Sequence, residues 1–204
     1  MNSAKLIYRV QQWLGLLLVI SLTGCAAAGA VSTVAQVANL ALGAAGLTKP
    51  TDPNATQDMP LMIQAGSKLN TDNYGHSYSV VVRIYQLKQS QEFQQAYYDA
   101  FLDPQKEKEA LGSDVISARE ITLIPGQNYI NTEKVGMNAD YIGIVAFFQS
   151  PSAERWKLIF PTKKLNSKGI ALGLDACSMT VSEGETIKSN EATQLALKMP
   201  ASCG

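Results

Sequence analysis

Hydrophobic and polar residues alternate along much of the chain after residue 60. Leu61, Ile63 and Ala65 fall on one side of an extended chain and Gln64 falls on the other, as in a strand with one buried face. Further alternating or β-branched runs predict strands at 79–87, 121–124, 141–148, 156–160, 170–174, 178–181 and 194–199. About eight short strands bounded by Gly, Pro and Asn predict an all-β fold, a two-sheet antiparallel sandwich.

Two of these runs are apolar on both faces. Residues 79–87 read S-V-V-V-R-I-Y-Q-L, and residues 141–148 read Y-I-G-I-V-A-F-F. Strands of this kind lie inside a sheet that is packed on both sides. We therefore expect both strands to lie centrally between covering layers.

The segment 90–112 changes to helical spacing. Ser90 is a candidate N-cap, Asp103-Pro104 begins a second short helix, and Leu111-Gly112 ends it. An aromatic stripe at helical spacing is typical of core packing against a sheet rather than of a cofactor site. The stripe consists of Phe93, Tyr97 and Phe101. The pattern therefore predicts a short helical insertion between the second and third strands.

The N-terminal segment up to Cys25 has the pattern of an export signal. Lys5 and Arg9 form a positive region, and the apolar run that follows at 13–22 is too short for a membrane span of about 20 residues. The run ends in Leu22-Thr23-Gly24-Cys25, which resembles a bacterial lipobox. In lipoproteins with this motif the cysteine thiol is alkylated by diacylglycerol and the chain is cut before the cysteine. We expect this processing here; the alternative is a simple secretory signal that ends in these four residues by chance.

Acyl chains on Cys25 would hold the protein at a bilayer. Each buried methylene contributes about 0.8 kcal/mol, so two or more chains anchor a protein almost permanently. Ala26 follows the cysteine, whereas an Asp there would resemble the inner-membrane retention signal of enteric bacteria. The sequence therefore favours the outer membrane, with the folded domain facing the periplasm.

A tether and a linker are predicted between the lipid site and the sandwich. An uncharged stretch rich in Ala, Gly, Val and Leu covers 26–47, and three prolines punctuate the polar stretch 48–60. The first stretch favours a tether or a helix lying on the membrane surface, although its length could just span a bilayer. The second is typical of a linker. The predicted divisions are a signal peptide (1–24), a lipidated tether and linker (25–60) and a β-sandwich domain (61–204).

Composition and charge agree with one folded domain. Of the 204 residues, 46% are hydrophobic and 17% are charged, which is too apolar for a disordered protein. The 17 basic and 17 acidic side chains cancel, and loss of Lys5 and Arg9 with the signal leaves 15 and 17, a net charge of −2. This balance gives no electrostatic reason to expect nucleic acid as a partner.

Two cysteines are left once Cys25 is assigned to lipid. The oxidising periplasm makes Cys177 and Cys203 natural disulfide partners. The alternative is two free buried thiols, because the sequence does not show whether the two Cα atoms come within bonding distance.

The sequence offers few residues for a catalytic site. His76 is the only imidazole in the sequence, and no G-x-S-x-G, H-E-x-x-H, Walker or G-x-G-x-x-G motif accompanies it. Glu183 and Glu185 lie in a Ser- and Gly-containing turn, where two acids are usually solvated. The sequence therefore predicts a protein that is not an enzyme and that uses no cofactor or metal. A ligand- or carbohydrate-binding periplasmic lipoprotein with an immunoglobulin-like sandwich is the alternative function.

A series of short motifs follows the lipobox. They are V-V-V-R-I-Y-Q-L at 80–87, Phe93 and Tyr97, Leu111-Gly112-Ser113-Asp114, Pro125-Gly126, and I-G-I-V-A-F-F at 142–148 with Trp156. In order and spacing, over about residues 60 to 200, they resemble the TssJ family, the outer-membrane lipoproteins of the type VI secretion system. One departure is Lys157, where the family usually has Arg after the tryptophan.

The resemblance implies a transthyretin-like β-sandwich that binds the periplasmic C-terminal domain of TssM, an inner-membrane protein, within a complex of TssJ, TssL and TssM. In the family the loop between the first two strands makes this contact. Here that loop holds Asn70, Thr71, Asp72, Asn73, Tyr74, Gly75, His76 and Ser77. Tyr74 and His76 are amphipathic rings among turn formers, and Tyr is enriched at binding hot spots. The alternative is an ordinary solvated hairpin.

Overall fold

The structure is a computed structural model that describes residues 55–153, 155–187 and 190–203. The predicted signal peptide, the lipid site at Cys25 and the tether at 26–47 lie outside these ranges. The described strands are β1 (Thr56–Ala65), β2 (Val80–Leu87), β3 (Val115–Leu123), β4 (Asn128–Gly136), β5 (Tyr141–Ala146), β6 (Lys157–Pro161), β7 (Ile170–Leu174) and β8 (Met179–Glu183). The described helices are α1 (Gln91–Gln95), α2 (Tyr98–Phe101), α3 (Pro104–Leu111) and α4 (Glu191–Leu197). Within the described ranges, every helix falls short of the length and hydropathy that a bilayer crossing requires.

The strands form two four-stranded sheets, which confirms the predicted sandwich. Sheet A has the order β4-β1-β7-β8, and sheet B has the order β3-β2-β5-β6. Neighbouring strands are antiparallel except β1 and β7, which run parallel with Leu61 opposite Ile170. The predicted antiparallel pairing holds for every described pair of strands except this one. The chain passes through β5 and β6 of sheet B before it enters β7, and such a long crossover permits parallel pairing.

Side chains from the inner faces of the two sheets form the main core. Ile63 and Leu172 come from sheet A, and Val82 and Ile144 come from sheet B; all four are buried. Burial of side chains of this size contributes about 1.5 to 3 kcal/mol each. The predicted alternation in β1 holds, since Ile63 is buried and Gln64 is exposed.

A second core lies on the outer face of sheet B. Tyr85 of β2 and Val145 of β5 pack there against Phe93, Phe101 and Leu111 from the three helices between β2 and β3. The rings of Tyr85, Phe93 and Phe101 meet edge to face, with centroids 5.2 to 6.0 Å apart. This second layer explains why the sequences of β2 and β5 are apolar on both faces.

The aromatic stripe is only partly buried, which corrects the sequence interpretation. Phe93 and Phe101 are buried, but the side chain of Tyr97 is 84% exposed. Helix α1 ends at Gln95, and the next residue, Ala96, has an extended ψ of 130°, so the helical period does not continue to residue 97. The second short helix, predicted to begin at Asp103-Pro104, is present as α3. Asp103 caps it by accepting hydrogen bonds from the backbone N–H groups of Gln105 and Lys106.

A polar network ties the helices to sheet B. The Arg83 guanidinium on β2 forms ion pairs with Glu107 of α3 and with Glu120 of β3, and it donates to the carbonyl oxygen of Phe101 at 3.2 Å. Burial raises the pKa of Tyr85, so its hydroxyl stays protonated and donates to Glu107 at 3.0 Å. The helical insertion is therefore held by charge-assisted hydrogen bonds as well as by aromatic packing.

Lys157 completes the end of α1. Its ammonium donates to the backbone oxygens of Phe93, Gln94 and Ala96 at 2.8, 2.7 and 2.5 Å. These carbonyls lie at the C-terminal end of the helix, where a cation is favoured. Lys157→Met keeps most of the stem but removes all three bonds. We expect it to lower the free energy of unfolding by about 1 to 2 kcal/mol, measured by urea denaturation.

A matched control for this variant is Lys168→Met. Lys168 forms an exposed ion pair with Glu183, and such pairs contribute about 0 to 1 kcal/mol. Lys157→Arg should retain most of the stability because the guanidinium can also cap carbonyls. If Lys157→Met lost no more stability than Lys168→Met, the capping role would be refuted.

Strand β1 begins inside the predicted linker. It starts at Thr56 rather than at residue 61, and Pro60 lies opposite Thr132 of β4. The carbonyl oxygen of Pro60 faces Gly169, where an added Cβ would lie only 2.0 Å from it. In an extended strand the nitrogen and the carbonyl oxygen of one residue point to the same side, so the nitrogen of Pro60 also faces β7. Pairing with β7 begins only at Leu61. Pro60 has no N–H to donate, but no hydrogen bond between strands is lost at this position.

The prediction of a strand at 194–199 is wrong. The chain forms helix α4 there, and Asn190 caps the helix by accepting a hydrogen bond from the backbone N–H of Thr193 at 2.7 Å. Of the alternating apolar residues, only Leu197 is buried, while Leu195 and Met199 are exposed. Capping and the burial of one face outweigh the period-two pattern. Strand β4, by contrast, has no counterpart among the predicted strands, because most of its side chains are exposed.

Candidate partner-docking loop

The predicted docking loop crosses from sheet A to sheet B at one end of the sandwich. It joins Ala65 of β1 to Val80 of β2. The backbone N–H groups of Asn70 and Thr71 donate to the carbonyl oxygens of Asp175 and Ala176, in the turn between β7 and β8, at 3.1 and 3.0 Å. The base of the loop is therefore attached to the adjacent turn by main-chain hydrogen bonds.

Asn70 forms the buried base of the loop. Its φ of 47° lies in the left-handed region, which Asn tolerates better than most residues. Its side-chain amide donates to the carbonyl oxygen of Ser79 at 2.7 Å, and its side-chain oxygen accepts from the backbone N–H of Gln149 at 2.7 Å. One side chain therefore connects both ends of the loop to the segment after β5.

Asp72 organises the tip of the loop. Its carboxylate accepts hydrogen bonds from the backbone N–H groups of Tyr74 and His76, both at 2.9 Å, from His76 Nδ1 at 3.0 Å and from the Tyr78 hydroxyl at 3.1 Å. Desolvation favours the protonated acid, but the hydrogen bonds from His76, Tyr74 and Tyr78 together outweigh it and lower the pKa of Asp72 to about 2. The carboxylate is therefore charged at neutral pH.

Sequence reasoning treated Asp72 as one turn former among several and missed this central role. The signal that could have found it is the Asx turn, in which an Asp side chain bonds to the backbone two residues later.

The side chains beyond Asp72 point into solvent. Tyr74 is 87% exposed, Asn73 and Ser77 are also exposed, and the rings of Tyr74 and His76 lie 6.2 Å apart at a tilt of 44°. Gly75 has a φ of 83°, a conformation that glycine adopts without strain. The loop therefore presents two rings on a backbone that is already ordered.

The predicted cysteine pair lies next to the loop base. Cys177 and Cys203 are joined in a disulfide with Cα atoms 5.8 Å apart. Cys177 directly follows Ala176, the residue whose carbonyl oxygen holds Thr71. The bond therefore attaches the C-terminal segment beside the turn that supports the loop.

A groove lies away from this loop, between the helical insertion, β6 and α4. Its volume is about 820 Å³, and Tyr97, Trp156, Ile187 and Thr193 are among the side chains that line it. This groove is the site that the ligand-binding alternative would use. Among the described residues, no cluster of three or more His, Cys, Asp or Glu side chains could hold a metal ion.

Comparison with known proteins places the chain in a family. A family model described as "Type VI secretion lipoprotein, VasD, EvfM, TssJ, VC_A0113" matches residues 57–177. A solved "Type VI membrane complex" contains a chain 26% identical to this one, with a TM-score of 0.58; the match covers 63% of this chain and 100% of that one. No curated protein matches this chain.

Two further solved structures share the fold. A chain in a structure described as "T6SS protein TssM C-terminal domain (869-1107) from EAEC" is 24% identical with a TM-score of 0.55, over 63% of this chain and 99% of that one. The lipoprotein TssJ1 from Pseudomonas aeruginosa is 19% identical with a TM-score of 0.55, over 67% of this chain and 100% of its own. Together with the match over 57–177, these likenesses lead to one conclusion: this chain belongs to the TssJ family of type VI secretion lipoproteins.

Proposed function

We propose that this protein is an outer-membrane lipoprotein that docks the periplasmic C-terminal domain of TssM and helps to build the TssJ-TssL-TssM complex. Acyl chains on Cys25 hold it at the membrane, and the sandwich faces the periplasm. Membership of the lipoprotein family supports this role, as does the lipobox after an apolar run of export-signal length.

The ordered loop is the observation that carries the proposal. Tyr74 projects into solvent, while Asn70 fixes the base of the loop and Asp72 fixes its tip. A loop that is ordered before binding loses little conformational entropy when it binds. A Tyr side chain also offers a large contact area with few rotatable bonds. These properties favour a rigid binding surface rather than a flexible linker.

The same site offers little support for catalysis. His76 is the only histidine in the sequence, and its Nδ1 is engaged by Asp72 in an exposed turn. The side chain of His76 is 70% exposed, so it does not lie in a cleft that would exclude water. We infer a protein that acts by binding.

Tyr74→Ala should weaken binding to the TssM domain at least tenfold. Truncation of a hot-spot Tyr costs about 2 kcal/mol or more, which corresponds to more than a factor of ten in Kd. The measurement is biolayer interferometry with the full mature protein in detergent and the immobilised TssM domain. His76→Ala should weaken binding by a smaller, graded amount.

Tyr97→Ala is the matched control for Tyr74→Ala. Tyr97 is also a highly exposed tyrosine, but it lies on the helical insertion beside the groove. Its loss should change the Kd less than twofold. An unchanged Kd for Tyr74→Ala would exclude the loop as the contact, and a loss confined to Tyr97→Ala would assign binding to the groove instead.

A further inference from the structure

We propose that the docking surface continues from the loop onto the turn between β3 and β4, and that Ile124 is its second apolar anchor. This inference rests on the proposed function and names more of the same site. The turn contains Pro125-Gly126, a motif that the docking loop alone leaves unexplained. Its larger apolar side chain, Ile124, is 59% exposed.

The turn is rigid. The backbone N–H of Gln127 donates to the carbonyl oxygen of Ile124 at 3.1 Å, and the backbone N–H of Ile124 donates to the Gln127 side-chain oxygen at 3.0 Å. Pro125 occupies the second position of the turn, and Gly126 has a φ of 79° at the third, as a type II turn requires. The position of Ile124 is therefore fixed on both sides by hydrogen bonds.

The turn and the docking loop form one hydrogen-bonded surface. The backbone N–H of Gly126 donates to the carbonyl oxygen of Gly66 at 3.1 Å, and the backbone N–H of Ala65 donates to the carbonyl oxygen of Gln127 at 2.9 Å. One residue further along the loop, the Ser77 hydroxyl donates to the carbonyl oxygen of Ser67 at 3.1 Å. The turn thus borders the stem of the loop at residues 65 and 66.

The side chains of this surface suit an apolar partner. Leu123 is fully buried as the last residue of β3, so Ile124 turns outward at the corner of the sandwich. A single exposed Ile is common on protein surfaces and does not mark a binding site. Here, however, the exposed Tyr74 and the half-exposed Tyr78 lie in the neighbouring docking loop. The only acid in 66–79, Asp72, is satisfied by the hydrogen bonds of the loop itself. Lys68 is the one Lys or Arg of 66–79, and it is exposed. We therefore expect the TssM domain to present an apolar pocket for Ile124, Tyr74 and Tyr78, with its charged groups outside that pocket.

Ile124→Asp tests the proposal because it adds a charge where an apolar contact is expected. With full-length mature protein and the TssM domain, the Kd should rise at least tenfold. The matched control is Ile130→Asp: Ile130 is 74% exposed, but it lies on the outer face of sheet A opposite Met62. Its Kd should stay within twofold of the parent, and Ile124→Leu should bind as the parent does.

The outcomes separate the two proposals. If Tyr74→Ala weakens binding and Ile124→Asp does not, the extension to the turn is overturned and the docking loop stands. If neither variant weakens binding, both proposals fall. Equal losses for Ile124→Asp and Ile130→Asp also overturn the extension, because the effect is then not specific to this surface. If Ile124→Asp lowers the melting temperature, Ile124→Ser replaces it, and parent-like binding by a folded Ile124→Ser protein counts against the extension.

Discussion

Replacing Cys25 with Ser should move the protein from the membrane fraction to the soluble periplasmic fraction. The variant has no thiol for diacylglycerol, and each methylene withheld from the bilayer removes about 0.8 kcal/mol of anchoring free energy. To separate the effect of lipid from that of an uncleaved signal, the variant is expressed behind a secretory signal that replaces residues 1–24. Fractionation and intact-mass spectrometry measure the outcome, and type VI secretion should fail in the same cells.

The folded domain itself should be unaffected by this change. The described residues of the sandwich begin at residue 55, well beyond Cys25 in the sequence, so the variant should still bind the TssM domain with the parent Kd. A lipid-free protein that stayed with the membrane after a high-salt wash would contradict the account. Such a result would favour a true membrane span at 26–47.

Loss of the disulfide should have the largest effect on stability. The bond closes a separation of 26 residues, and the chain-entropy model gives a loop of this length about 3.5 kcal/mol of stabilisation. We expect Cys177→Ala with Cys203→Ala to lower the free energy of unfolding by about 3 kcal/mol, measured by urea denaturation. Cys203→Ala alone should lose nearly as much stability, because either substitution breaks the bond.

The reduced parent protein is the control for this pair of substitutions. Dithiothreitol should lower the stability of the parent to that of the double variant and leave the double variant unchanged. Equal stability of the oxidised parent and the double variant would contradict the entropic role of the bond. The TssM affinity of the double variant should also fall, because Cys177 adjoins Ala176, which holds the base of the docking loop.

The central strands were predictable because burial on both faces leaves a strong signal. The apolar run at 79–87 corresponds to β2, and 170–174 matches β7 residue for residue. In both strands the side chains that form the core follow one another closely in the sequence, and many are β-branched or aliphatic. The local pattern and the tertiary packing therefore agree.

The wrong predictions have the opposite cause, because the local pattern and the tertiary structure disagree there. Strand β4 lies at the edge of sheet A, so it needs few apolar residues, and its sequence N-Y-I-N-T-E-K-V-G resembles a loop. At 194–199 the apolar residues alternate, but the capping oxygen of Asn190 and the burial of Leu197 alone favour a helix. Tyr97 fits the helical period, yet α1 ends at Gln95, two residues before it. Period alone cannot detect where a helix stops.

The loop between β1 and β2 was predictable in position but not in construction. Turn formers between two strands locate the loop, and the exposed Tyr74 follows from them. The convergence of backbone and side-chain donors on Asp72 depends on the conformation of the loop, and the contact between Gly66 and Gly126 joins positions that are far apart in the sequence. The Asx turn is the one local signal for Asp72, and the contact between Gly66 and Gly126 leaves no local pattern in the sequence.

Site-specific photo-crosslinking in living cells tests the central claim most directly. A photoreactive phenylalanine analogue replaces Tyr74 in one strain and Ile130, on the outer face of sheet A, in another; both positions are exposed. Irradiation should produce an adduct with TssM from position 74 and none from position 130. An adduct from position 130 with none from position 74 would contradict the docking loop.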